Sequence, residues 1–226
     1  AQTWQDVAGN VHFAVASEIG KLQTRLETEA ITVHYLAVTS GSEEDGKAVI
    51  SLAQQLAIAW VVVDGYQFGG DYQQQLKNAG LKVLFIDDYG HAEHYCADLV
   101  LNQNVSASEG LYPSRNPNTQ LLLGTNYTLL RREFQAYQKW ERDIPDIARK
   151  ILVTLGGGDP DNVTFKVMEA LSAIADASLE IIVIVGGSNP HYQQLAQIAE
   201  QSPSSMVLKQ NVQNMPEVMA WADLAI

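Results

Sequence analysis

The chain has 226 residues, of which 46% are hydrophobic and 18% charged, so it can bury a core and is not a disordered polypeptide. Its formal net charge of −12, from 14 basic and 26 acidic residues, argues against a nucleic-acid partner, because binding to a phosphate backbone needs clustered lysine and arginine. No apolar run approaches the roughly 20 residues that a membrane span requires, and the single cysteine, Cys96, excludes an internal disulfide and fits a reducing cytoplasm.

Apolar runs alternate with amphipathic stretches from residue 11 to residue 101, which predicts a parallel sheet covered by helices. Residues 1–7 are predicted to be the last turns of a helix that Gly9 closes. The helices that follow are predicted at residues 18–26, 43–56 and 71–78. The strands are predicted at residues 11–15, 32–36, 60–63, 82–86 and 98–101.

After residue 101 the alternation becomes less regular and then starts again. Residues 104–118 predict a loop, residues 120–123 a strand, residues 129–140 a helix and residues 143–146 a hinge. The second series has predicted strands at 151–155, 180–185 and 206–208 and helices at 162–174, 192–201 and 216–221. This pattern predicts two domains, residues 1–145 and 146–226. Residues 223–226 resemble the start of a buried strand, so we interpret the sequence as a fragment.

The strongest local signal is the glycine-rich turn after the first strand of the second series. Gly156, Gly157, Gly158 and Asp159 lie between that strand and a predicted helix. Such a turn brings backbone N–H groups and the positive end of a helix dipole to the carboxyl edge of a sheet, where phosphates and sugars bind. The turn matches neither the P-loop nor the dinucleotide fingerprint. The alternative is an ordinary turn in which Asp161 caps the helix.

Two further turns in the second domain are predicted to contribute to the same crevice. Gly187, Ser188 and Asn189 follow the strand at 180–185, and Pro190 suits the first position of the next helix. A loop ending at Val212 follows the third strand. A small phosphorylated ligand held by these backbones is compatible with the acidic net charge, because N–H groups do not contribute to it.

In the first domain, Tyr66 and Asp88 lie just beyond strand ends. We expect them to contact a sugar hydroxyl; the alternative is that the carboxylates beyond these strand ends cap helices or order loops. His91, His94 and Cys96 lie close together in the sequence, but a structural zinc ion needs four ligands and no second Cys/His pair has suitable spacing. The sequence therefore predicts no metal site.

Taken together, these segments resemble the UDP-sugar hydrolase family of the pseudaminic acid pathway, to which spore-coat polysaccharide proteins are similar. The resemblance covers nearly the whole chain in order. It is carried by residues 60–66, 85–88, 102–104 and 151–161 and by Gly124-x-x-Tyr127-x-Leu129-Leu130-Arg131-x-Glu133-Phe134. More distantly, residues 209–223 are similar to the lipid-linked peptidoglycan N-acetylglucosaminyltransferase.

The resemblance implies an α/β fold of GT-B type, with two Rossmann-like domains that have parallel sheets, truncated at both ends. It implies a UDP-sugar as partner, no cofactor, and metal-independent attack of water on the anomeric carbon of a 2,4-diacetamido-2,4,6-trideoxy sugar. The backbone of Val212 matches a uracil contact. The substrate-binding residues are expected to be Tyr66, Asp88, Gly156, Gly157, Gly158, Asp159, Gly187, Ser188, Asn189 and Val212.

The catalytic residue stays unassigned. In the resembling family the base is a histidine of a Gly-x-Gly-His-x-x-Arg loop that would precede Ala1, and a second diphosphate loop would follow Ile226. We therefore expect these 226 residues alone to be inactive. A GT-B glycosyltransferase with an acceptor hydroxyl in place of water, and a non-catalytic nucleotide-sugar-binding module, are the alternatives. The sequence predicts no oligomeric state.

Overall fold

The computed structural model describes residues 1–7, 9–17, 20–187 and 189–226. The chain divides into two compact units, Ala1–Arg132 and Glu133–Ile226, so the division lies earlier than residue 145. Arg132 belongs to the first unit because its guanidinium pairs with the carboxylates of Asp6 at 2.7 Å and Glu29 at 3.7 Å. None of the described helices is both long and apolar enough to cross a membrane.

The first unit alternates helices and parallel strands. Its helices are α1 (Gln2–Asp6), α2 (Lys21–Thr28), α3 (Glu43–Gln55) and α4 (Gly70–Asn78). Its strands are β1 (His12–Val15), β2 (Thr32–Tyr35), β3 (Trp60–Asp64), β4 (Lys82–Ile86), β5 (Leu99–Asn102) and β6 (Gln120–Leu123). Strands β1 and β2 form one parallel pair, and β3, β4, β5 and β6 form a separate parallel sheet in chain order.

The core of the first unit lies on strand β4. Val83 and Phe85 of β4 are fully buried, and they pack in one cluster with Tyr72 and Leu76 of α4. Helix α3 is capped by Ser42, the residue before its first turn, whose side chain accepts the N–H of Asp45. Burial alternates along β4, so that Val83 and Phe85 face the core.

The second unit has its own parallel sheet. Its strands are β7 (Lys150–Thr154), β8 (Glu180–Val185), β9 (Ser205–Gln210) and β10 (Leu224–Ala225), and its helices are α5 (Val163–Ile174), α6 (Tyr192–Gln201) and α7 (Met215–Trp221). The order across the sheet is β10-β7-β8-β9. The chain therefore runs from β7 outward to β9 and then returns to the other side of β7. The carboxyl end of β7 is the switch point at which open α/β sheets bind ligands.

Two predicted elements differ from the structure. The predicted helix at 129–140 is wrong: the structure has a short 3-10 helix at Arg132–Tyr137. Leu129 and Leu130 are 58% and 61% exposed, so the segment buries no apolar stripe that would stabilise a longer helix. The predicted helix at 18–26 is observed as Lys21–Thr28, and residues 18 and 19 lie outside the described residues.

Candidate functional site

The glycine turn after β7 has an open backbone surface. A Cβ atom placed on Gly156, Gly157 or Gly158 would meet nothing within 4 Å. Gly156 has a φ of 89°, a left-handed conformation that favours glycine. A ligand can therefore approach the main chain of this turn closely.

The turns after β7, β8 and β9 are in contact with one another. The α-carbon of Gly186 lies against the carbonyl group of Gly157, and a Cβ atom on Gly187 would lie 2.5 Å from Oδ1 of Asn211. Nε2 of Gln210 donates to the carbonyl oxygen of Gly186 at 3.1 Å. The structure thus brings the three predicted turns of the second unit together at the carboxyl edge of its sheet.

Asp159 caps helix α5, where the sequence suggested either an open helix end or a cap by Asp161. Its carboxylate accepts the N–H groups of Val163 at 2.9 Å and Thr164 at 2.8 Å. Burial disfavours the charged form, but hydrogen bonds from Thr164 and Val163 outweigh it and hold the pKa of Asp159 below its usual value. Two N–H groups at this helix end are therefore engaged by Asp159. A substrate contact by Asp159 stays a prediction.

The remaining predicted residues of the second unit have different environments. Asn189 is only 6% exposed, and its Oδ1 accepts the N–H of His191 at 2.8 Å, so its amide group points into the protein. The side chain of Val212 packs against the cluster that contains Leu152 and Ile184. Ser188 lies outside the described residues.

In the first unit, a buried carboxylate organises the turn after β4. Asp87 is 2% exposed. Its donors are the backbone N–H groups of Asp88, Tyr89 and Gly90, the ring of His91 and the hydroxyl of Tyr95. Burial opposes the charge on Asp87, but these hydrogen bonds prevail and lower its pKa. The turn is thereby fixed as a rigid support for the exposed residues beside it.

Tyr66 and Asp88, which the sequence singled out separately, are in direct contact. The Tyr66 hydroxyl donates to Oδ2 of Asp88 at 2.6 Å, and Nδ2 of Asn104 donates to Oδ1 at 3.0 Å. The hydrogen bond to Asp88 and the charge of its carboxylate raise the pKa of Tyr66 to about 12. The ring of Tyr66 lies 5.4 Å from that of Tyr89, and both are more than half exposed. An exposed aromatic pair beside a carboxylate and an amide suits a sugar ring with its hydroxyl groups.

The two histidines considered for zinc have other partners. His91 contacts Asp87 and the carbonyl oxygen of Phe68, while His94 contacts Ser114 and Asn116. Cys96 is buried. Across residues 1–7, 9–17, 20–187 and 189–226, no group of three or more metal-ligating side chains is arranged around a common point.

The sequence analysis did not identify the buried partners of this turn. Asn102 is fully buried and donates to the Tyr112 hydroxyl and to the carbonyl oxygen of Asp88, each at 2.8 Å. Polar residues that follow a buried strand and are themselves buried need partners. The sequence does show that Asn102 ends an apolar run, which indicates a buried amide. It does not show that Tyr112 is the partner, because only folding brings the two residues together.

Two curated proteins are similar to this chain in sequence. The spore coat polysaccharide biosynthesis protein SpsG of Bacillus subtilis is 31% identical over 151 residues, which cover 64% of this chain and 42% of SpsG. An uncharacterized protein of Methanocaldococcus jannaschii is 28% identical over 172 residues, which cover 74% of this chain and 35% of that protein. The chain thus spans less than half the length of these relatives. No family model matches it.

Solved structures establish the fold. HepE of Anabaena, solved in complex with UDP-glucose, matches with a TM-score of 0.61 at 13% identity, over 100% of this chain and 67% of HepE. MurG of Acinetobacter baumannii matches with a TM-score of 0.55 at 12% identity, over 99% and 64%. A glycosyltransferase of Rickettsia africae matches with a TM-score of 0.57 at 12% identity, over 100% and 66%. The α/β fold with parallel sheets is therefore that of GT-B glycosyltransferase structures, as predicted.

Proposed function

We propose that this chain is part of an enzyme that acts on a UDP-sugar, with the nucleotide held by the second unit. The observation that carries the proposal is the packing of three turns at the carboxyl edge of one parallel sheet, where Gly156, Gly157 and Gly158 have no neighbouring atoms at the positions of their missing side chains. This edge contains the switch point beside β7. The match to HepE, whose structure contains UDP-glucose, supports the same proposal.

The proposed contacts use main-chain groups. The diphosphate would bind N–H groups of the turn at residues 156–158, and the uracil would bind the backbone at Val212. Backbone donors suit an anion in a protein with a net charge of −12, because they need no cluster of lysine or arginine. Gly187 is proposed to bind the ribose or the sugar through its backbone, because the amide oxygen of Asn211 covers the position that a side chain would take. Ser188 and Asn189 are also proposed to contact the ligand.

The proposed chemistry is replacement of UDP at the anomeric carbon. In the hydrolase form, a water oxygen forms a bond to that carbon while the bond to the UDP oxygen breaks, and a base accepts the proton of the water. UDP departs as an anion that backbone N–H groups stabilise. The base is not assigned to any residue of this chain. Tyr66 and Asp88 are proposed to contact the sugar through their hydroxyl and carboxylate groups.

The finer proposal for the substrate is a UDP-linked 2,4-diacetamido-2,4,6-trideoxy sugar, used in nonulosonic acid or surface polysaccharide synthesis. It is supported by the motifs at residues 85–88 and 102–104 and by the similarity to SpsG. Sugar transfer to an acceptor hydroxyl is the second candidate function, because the solved structures that match include a glycosyltransferase. Fold alone does not separate water from a hydroxyl acceptor.

The test is a time course of UDP release by the natural protein that contains this chain, supplied with the proposed UDP-sugar. Hydrolysis predicts release without any acceptor, whereas transfer predicts release that depends on an added acceptor. The test variant is Gly158→Ala, which places a methyl group on the proposed nucleotide surface. The matched control is Gly69→Ala, which places one in open space of the first unit. We expect slower release only with Gly158→Ala. A protein that neither binds nor consumes any UDP-sugar would refute the proposal.

A further inference from the structure

Two histidine rings meet across strands β1 and β2 of the first unit. His12 lies in β1 and His34 in β2, and Nδ1 of His12 is 3.1 Å from Nε2 of His34. The ring centroids are 5.2 Å apart, and the two rings are tilted by 45°. The proposed nucleotide and sugar contacts all lie beyond the ends of other strands, so the histidine pair is separate from them.

The register of the two strands explains why the rings meet. Thr32 is opposite His12, and His34 is opposite Ala14, so the two histidines lie diagonally across the ladder. Successive side chains along a strand point to opposite faces of a sheet, and residues that are partners in register share a face. All four side chains therefore project from the same face of the strand pair.

Helix α2 covers the opposite face. The hydroxyl of Tyr35 donates to the side chain of Gln23 in α2 at 2.8 Å, so α2 lies on the side to which Tyr35 points. His34 is the preceding residue, and its ring therefore points away from α2. Both histidines are partly exposed, and their neighbours Ala14 and Thr32 are small and exposed, which leaves space for an ion with its water molecules.

The separation of the two ring nitrogens fits the coordination of one metal ion. Imidazole nitrogens bind Zn²⁺ at about 2.0–2.1 Å, so two such bonds at an angle of about 90–110° place their nitrogens about 2.9–3.4 Å apart. The 3.1 Å between His12 and His34 lies within this range. A small rotation of each ring directs both lone pairs to one point. The ion then replaces the proton that the two nitrogens share, and the donor ring carries its proton on its other nitrogen.

We propose that His12 and His34 together bind one divalent transition-metal ion of the class of Zn²⁺, Ni²⁺ and Cu²⁺, which imidazole ligands suit, with water completing the coordination. Of the described residues, no third histidine, cysteine or carboxylate completes the group. Structural zinc sites use four protein ligands, so the proposed ion is an exchangeable one. Because its two ligands belong to different strands, the ion binds the folded chain and stabilises the pairing of β1 with β2.

Isothermal titration calorimetry with Zn²⁺ tests the proposal on the 226-residue chain, prepared without a polyhistidine tag. We expect a site that His12→Ala and His34→Ala each weaken by roughly tenfold or more, because a single imidazole lacks the effective concentration of a tethered second ligand. His94→Ala is the matched control. His94 contacts Ser114 and Asn116, so its loss should leave the Zn²⁺ affinity unchanged.

A second measurement separates histidine ligands from carboxylates, because a chain with a net charge of −12 also attracts cations through its acidic side chains. In the ¹⁵N-labelled chain, Zn²⁺ should shift the amide signals of residues 12–14 and 32–34. Mg²⁺ prefers oxygen ligands and should leave these signals unchanged. The amide signals of the second unit show whether each variant is folded. If His34→Ala loses the β1–β2 pair, His34→Gln keeps a polar side chain there and should weaken Zn²⁺ binding equally.

Three results would overturn the proposal. The first is that the histidine variants bind Zn²⁺ as tightly as the unsubstituted chain. The second is that Mg²⁺ shifts the same amides as Zn²⁺, which would assign the ion to oxygen ligands. The third is that millimolar Zn²⁺ shifts no signal of residues 12–14 or 32–34. None of these measurements involves UDP or the second unit's turns, so this proposal and the proposed function fail separately.

Discussion

The α-carbon of Gly186 lies so close to the carbonyl oxygen of Gly157 that any side chain at residue 186 would overlap it. The contact joins the turn after β8 to the turn after β7, and it is possible only because residue 186 is a glycine. The shape of the proposed nucleotide surface therefore depends on the absence of a side chain at residue 186.

Gly186→Ala is expected to displace the turn at residues 156–158. Because the overlap is with backbone atoms, we expect a loss of about 1–3 kcal/mol in the free energy of unfolding, measured by urea denaturation. Gly158→Ala is the control, since its methyl group would meet nothing within 4 Å, and it should unfold like the unsubstituted chain. Equal stability of the Gly186→Ala protein would show that the two turns are not held together by this contact.

Asp159→Ala is expected to weaken helix α5 at its first turn. Loss of the two hydrogen bonds to Val163 and Thr164 should cost about 0.5–2 kcal/mol, the usual range for an N-terminal cap. Asp161→Ala should change the free energy of unfolding by less than about 0.5 kcal/mol, because residue 161 is exposed. If Asp161→Ala were the more damaging substitution, the cap would be assigned to the wrong carboxylate.

Asp87 is expected to make the stability of the first unit depend on pH. Its pKa is lower in the folded chain than the ordinary value of 3.8, so its contribution is present above that value and is lost as pH falls below about 4 through the folded pKa. Asp87→Asn should flatten the decline in unfolding free energy between about pH 5 and pH 2, relative to the unsubstituted chain. Tyr95→Phe removes one of the donors and should flatten it in part. An unchanged decline in the Asp87→Asn protein would contradict the assigned network.

Tyr66 is expected to stay protonated at high pH. Its hydrogen bond to the negatively charged Asp88 raises its pKa to about 12 from the usual 10.0. In a protein labelled with ¹³C at the tyrosine Cζ atoms, the Tyr66 signal should keep its phenol position at about pH 11 and move in an Asp88→Asn variant, whose neutral amide removes the charge. Tyr66→Phe assigns the signal. A Tyr66 that ionises at the same pH in both proteins would mean that the pair is not formed in solution.

The sequence predicted the strands of both units because their apolar runs are short, rich in β-branched residues and bounded by turn residues. The strands at Lys82–Ile86, Gln120–Leu123 and Glu180–Val185 have the predicted bounds. The helix at residues 129–140 was wrong because apolar residues such as Leu129 stay exposed, and periodicity does not reveal whether a face finds a partner.

The parts of the site that depend on distant residues were less accessible from the sequence. The contact of Tyr66 with Asp88 joins residues 22 positions apart, and only the parallel pairing of β3 with β4 brings them together. The cap by Asp159 was missed because residue 161 is nearer to the helix, and capping side chains usually come from the residue just before the first turn. The observed turn instead folds back through Asn162, which has a left-handed conformation. The close contact of Gly186 with Gly157 has no sequence signal beyond the glycine itself.

The central claim, that the second unit holds the nucleotide, is tested most directly by titrating the ¹⁵N-labelled 226-residue chain with UDP. We predict chemical-shift changes at the amides of Gly156, Gly157, Gly158, Gly187 and Val212, with weaker binding in Gly158→Ala and unchanged binding in Gly69→Ala. Shift changes confined to the first unit, or no changes at millimolar UDP, would contradict the account.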